Sequence, residues 1–115
     1  MKKILLINND LDAMHLLKLW LENKAYEVRI TTSKEEAFKV AEEFDPALVI
    51  ADILQNEAIE QLKKMQHTKD IPILLMSGYT RGNENINLNI DDIIEKPFNL
   101  PLLEIKVARL LKHAG

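Results

Sequence analysis

The chain contains no cysteine. That excludes disulfide bonds, thiolate catalysis and the cysteine-based zinc sites, and it is compatible with a reducing compartment. No apolar stretch is long enough to cross a bilayer as a helix, and Met1-Lys2-Lys3 leads straight into an apolar run without a small-residue cleavage site. A cytoplasmic location without membrane association is therefore expected. Basic blocks are also missing: 15 Lys and Arg stand against 18 Asp and Glu, for a formal net charge of -3. Direct binding to nucleic acid is not expected, because phosphate contacts need clustered cations. There are only three glycines, and none directly follows the first apolar run, so a glycine-rich phosphate cradle is absent there.

What remains is an ordinary globular composition. At 115 residues, with 47% apolar and 29% charged positions, residues 1–115 are expected to form one domain with a real core. Short apolar runs alternate with helical patterns: ILLI at 4–7, YEVRI at 26–30, ALVIA at 47–51, IPILLM at 71–76 and DIIE at 92–95. Runs that are apolar throughout suit strands buried on both faces. The spacing predicts helices over 11–24, 34–44, 57–67 and 99–112. The second carries Ala37, Val40, Ala41 and Phe44 on one stripe, the third Ala58, Leu62 and Met65, and the last Leu103, Val107 and Leu110. Ser33 with Glu36 makes a capping-box signal, and Asn99 is placed to cap the last helix. Residues 80–91, rich in asparagine, predict a short, irregular or absent helix. Such alternation implies an α/β fold with a parallel sheet covered on both faces.

In an open parallel sheet, ligands bind beyond the carboxyl ends of the strands, where strand order reverses. The first strand delivers Asn8, Asn9 and Asp10 to that edge, the third Asp52, the fourth Ser77 and the fifth Lys96 followed by Pro97. A carboxylate, a hydroxyl and an ammonium at neighbouring strand ends make a phosphoryl-handling set. The carboxylate can attack phosphorus, the hydroxyl can donate to a phosphoryl oxygen, and the lysine can neutralise charge on the transferred group. Each residue alone has a plainer reading as a cap, a turn residue or a surface charge. Their joint occurrence in this order carries the argument.

With "ILLINNDLD" at the first strand, "YEV" at the second, "DPALVIADIL" around the third, "IPILLMSGY" at the fourth and "IIEKPF" at the fifth, the whole chain resembles the response-regulator receiver domains. These are signalling modules phosphorylated on aspartate by sensor histidine kinases. The resemblance implies a doubly wound, flavodoxin-like five-stranded sheet of order 2-1-3-4-5, here with a shortened or irregular fourth helix. It implies Asp52 as phosphoacceptor, Ser77 as the hydroxyl that follows the phosphoryl group, Lys96 as its cationic partner, and a cis Lys96-Pro97 bond. It also implies magnesium held by the residues at positions 8 and 9, by Asp52, and by the backbone carbonyl of Leu54. The partners implied are a sensor histidine kinase or phosphotransfer protein on one side and a downstream target or effector domain on the other. A second copy of the chain is a further candidate.

Here positions 8 and 9 are Asn rather than acids. Magnesium is a hard cation held largely by carboxylates, and each lost charge removes on the order of 1 kcal/mol of attraction at 4 Å even in water. Magnesium binding is thus expected to be weak or absent, and phosphorylation slow or absent. Asp10 and Asp12 could substitute in part, but the register makes Asp10 a helix cap and turns Asp12 to solvent. Ile93 stands where family members usually carry a switching aromatic ring, and the loop after Asp52 and the segment from Ser77 to Lys96 are shorter than usual.

Two functions follow from these residues: a phosphoryl-accepting receiver, or a pseudo-receiver that keeps the fold as a phosphorylation-independent interaction module. An enzyme is not expected. A flavodoxin-type cofactor binder lacks its phosphate loop, and an aspartyl-phosphate hydrolase would want an acid where Leu54 stands. His15, His67 and His113 are isolated, read as surface helix positions, and Trp20 is expected to pack the first helix. Leu102 and Ile105 form either an interface or the margin of a wide core stripe.

Overall fold

A computed structural model describes residues 2–8, 10–52, 56–77, 90–95 and 99–114. Along the chain these form β1 (Lys3–Ile7), α1 (Leu11–Glu22), β2 (Glu27–Thr31), α2 (Lys34–Phe44), β3 (Leu48–Asp52), α3 (Asn56–Lys64), β4 (Ile73–Ser77), β5 (Asp92–Glu95) and α4 (Leu100–Ala114). Three helices start where a short polar side chain accepts an otherwise unpaired backbone N–H. Ala13 donates to Asp10 Oδ1 at 3.3 Å, Glu36 to Ser33 Oγ at 3.2 Å, and Leu102 to Asn99 Oδ1 at 3.0 Å. The capping box around Ser33 closes one residue early, with the Thr32 N–H rather than that of Ser33 donating to Glu36 Oε1.

The five strands pair in parallel in the order β2-β1-β3-β4-β5. Side chains alternate across the sheet and divide the core. Ile4, Leu6, Leu48, Ile50, Leu74 and Met76 pack with α1 and α4, while Leu5, Ile7, Val49, Ala51, Ile73 and Leu75 pack with α2 and α3. Central β3 is buried along its whole length, whereas the edge strand β2 exposes Glu27 and Arg29 and is buried at Val28 and Thr31.

Some boundaries differ from expectation. The third helix ends at Lys64 rather than 67, because Thr68 Oγ1 donates to the Leu62 carbonyl and the N–H groups of Thr68 and Lys69 both turn back to Met65. The fourth strand begins at Ile73 rather than Ile71; Pro72 has no N–H to give, and its carbonyl accepts from Val49 instead. Ile59, outside the expected apolar stripe of α3, is fully buried. Leu102 and Ile105 lie exposed, outside the core. Trp20 is half-buried against the α1 side of the core with Lys24 over its ring, and His15 and His67 are exposed. The irregular segment expected over 80–91 lies outside the described residues up to 89, as do residues 53–55 and the Lys96-Pro97 bond; the side chain of His113 is not described.

Candidate functional site

The strand order reverses between β1 and β3, because β1 sits between β2 and β3. Register pairs Ile7 of β1 with Ala51 of β3, so the residues that follow, Asn8 and Asp52, come to lie side by side. The Asn8 N–H donates to the Thr31 carbonyl at 3.0 Å, which carries the β1–β2 ladder one step past the strand. Residues 4 and 6, like 48 and 50, face α1 and α4. By the two-residue period Asn8 and Asp52 share that face. Both are buried, 3% and 6% exposed.

Asn8 Nδ2 donates to Asp52 Oδ2 at 3.4 Å, a long bond, and Asn8 Oδ1 accepts the Asp10 backbone N–H at 3.0 Å. The two contacts select one orientation of the amide. Turned over, it would set oxygen against carboxylate oxygen and N–H against N–H. Asn8 is one of the partners of Asp52 and not the whole of them. The Asp10 carboxylate caps α1 through Ala13, and Asp12 is exposed, as expected for both.

Asp52 pairs across the sheet with Met76, and Ser77 with Glu95, so Ser77 stands one step beyond the strand partner of Asp52. Lys96 follows Glu95 in sequence. Asn9, Leu54 and Lys96 lie outside the described residues. Of the site residues expected from sequence, the structure thus brings Asn8 and Asp52 into contact and sets the backbone of Ser77 on the next strand. Thr31, which the sequence reading does not single out, completes this edge: it is fully buried, its hydroxyl donates to the Leu6 carbonyl at 3.3 Å, and its own carbonyl holds Asn8. The available signal was a hydroxyl residue closing a strand.

Magnesium demands oxygen ligands, carboxylates above all. Asn8 presents N–H toward Asp52, and its oxygen is already held by Asp10. Among the described residues no group of three or more His, Asp or Glu could hold an ion. The described residues therefore do not fit magnesium in the manner the family resemblance implies.

The profile described as "Response regulator receiver domain" matches residues 4–108. The transcriptional regulatory protein SrrA of Staphylococcus aureus is 26% identical over a region covering 96% of this chain and 48% of SrrA. The chain thus spans about half the length of the curated relatives it matches. The signal receiver domain of a signal transduction histidine kinase from Syntrophus aciditrophicus superposes with a TM-score of 0.89 at 25% identity, covering 98% of this chain and 92% of that one. The response regulator TrrA of Thermotoga maritima, solved in complex with Mg(2+)-BeF, gives a TM-score of 0.85 at 29% identity, covering 96% of this chain and 99% of that one.

Proposed function

The chain belongs to the response regulator receiver domain family, and from that premise we propose that it is the receiver module of a two-component or phosphorelay system, taking a phosphoryl group on Asp52 and signalling by conformational change. Receiver domains are in general signalling modules rather than enzymes. The observation that supports Asp52 is its place: the last residue of β3, buried at the switch point of the sheet, with the end of β4 beside it.

In this reading an Asp52 oxygen attacks the phosphorus of a phosphohistidine. The new O–P bond forms as the P–N bond breaks, and the leaving imidazole takes up a proton. Ser77 donates a hydrogen bond to a phosphoryl oxygen and Lys96 balances its charge. A sensor histidine kinase or phosphotransfer protein supplies the group, and a downstream protein or effector domain reads the result. The module itself contacts no nucleic acid, acts in the cytoplasm, and has a second copy of itself as a candidate partner. Ile93, half-buried against the α2 side of the core, offers no aromatic ring to swing, and the output in this reading runs through the surface of residues 80–91, β5 and α4.

Transfer is slow in this reading, because two amides stand where the family carries acids. One observation favours the second reading, a phosphorylation-independent interaction module: the Asp52 carboxylate is already bonded to the Asn8 amide. Intact-mass spectrometry after incubation with acetyl phosphate separates the two. Gain of one phosphoryl group, lost in Asp52→Asn, supports the receiver; a folded protein that gains none supports the interaction module.

A further inference from the structure

We propose that the Asn8 amide stands in for the metal ion, as a positioning residue that helps hold Asp52 without a bound metal. The inference rests on Asp52 being the centre of the site, but not on its being phosphorylated. Three observations carry it. Asn8 is buried between the end of β2 and Asp52, its backbone fixed by the Thr31 carbonyl. Its side-chain oxygen is held by the Asp10 N–H at the entrance to α1. Its side-chain nitrogen therefore faces the Asp52 carboxylate and presents a positive dipole to it.

For Asn8 to give its oxygen to a metal, the amide would have to turn. It would then give up the Asp10 N–H, a group at a helix entrance that needs an acceptor, and the contact with Asp52. An Asp at position 8 behaves in the opposite way. One oxygen keeps the Asp10 N–H, while the other confronts Asp52 at the distance of the present hydrogen bond, and two carboxylates so placed call for a cation between them. One atom replacement thus separates a site held by an amide from a site that requires an ion.

The test is the thermal midpoint of the wild-type chain and of Asn8→Asp, each with millimolar magnesium and with a chelator. The wild-type midpoint is expected to be the same in both solutions. The variant is expected to melt lower in chelator and to recover when magnesium is added, with magnesium affinity raised about tenfold or more over wild type, since one added charge at contact distance contributes on the order of 1 kcal/mol or more. A merely structural asparagine would show no rescue by metal. A wild-type midpoint that rises with magnesium, or a variant that melts alike in both solutions, overturns the proposal.

Should Asn8→Asp fail to fold, the wild-type protein still decides. The side-chain NH2 resonances of Asn8 are expected to stay in place when magnesium is titrated in and to move in Asp52→Asn; movement with magnesium overturns the proposal. Phosphoryl gain is read separately on the wild-type chain, so failure of the metal-free account and failure of Asp52 as acceptor are distinct results.

Discussion

Asn8 and Asp52 close neighbouring strands and meet amide to carboxylate, Nδ2 to Oδ2 at 3.4 Å, both buried. Where the family resemblance implies a pair of acids, the contact changes the electrostatics of the site. Carboxylates crowded together repel one another and recruit an ion, whereas a carboxylate beside an amide gains a neutral donor. The fold keeps a carboxylate at its switch point and sets an amide beside it.

The Asp10 side chain serves α1 rather than the acceptor. Its loss in Asp10→Ala removes the acceptor for the Ala13 N–H and is expected to lower stability by about 1 kcal/mol, as for other N-caps. The Asp10 backbone N–H that holds Asn8 is untouched by this change. Urea unfolding with an unchanged slope and a lower midpoint, together with unaltered Asn8 side-chain resonances, is the expected result.

Ala25 sits at φ 71° in the turn that follows α1, a left-handed conformation in which its Cβ is unfavourable. Ala25→Gly is expected to stabilise the protein by about 0.5–1 kcal/mol, because the relieved strain exceeds the entropy that glycine adds to the unfolded chain. A thermal midpoint raised by a few degrees checks it.

Leu103 and Ile105, two residues apart on α4, should respond in opposite ways. Leu103 is fully buried, and Leu103→Ala is expected to cost about 2–5 kcal/mol. Ile105 is 55% exposed, and Ile105→Ala is expected to change the stability of the monomer by no more than about 0.5 kcal/mol. Chemical denaturation of the two variants at low protein concentration measures both.

Most of the fold was legible in the sequence because its signals are local. The all-apolar run at 47–51 announced a central strand, and Ser33, Asp10 and Asn99 announced helix starts through the N–H groups they accept. The strand order came instead from resemblance; periodicity says which residues are buried, not which strands are neighbours. What escaped depended on side-chain contacts that periodicity does not encode. The early end of α3 is set by the hydroxyl of Thr68 reaching back to Leu62, and the apolar pattern of α4 left open whether Leu102 and Ile105, both exposed, belonged to the core.

At the site, residue types could be read directly: a carboxylate on β3 and an amide after β1. The orientation of that amide could not. It follows from the Asp10 N–H on one side and Asp52 on the other, 44 residues along the chain from Asn8. The sequence therefore allowed Asn8 as a weak metal ligand, and the structure presents its nitrogen to Asp52 instead.

Asp52 as phosphoacceptor is tested most directly by trapping the acyl phosphate. The protein is incubated with acetyl phosphate, reduced with borohydride, which converts an aspartyl phosphate to homoserine, and sequenced by tandem mass spectrometry. The account predicts homoserine at position 52 in the wild-type chain and none in Asp52→Asn. Homoserine at any other aspartate, or at none while the protein remains folded, would contradict it.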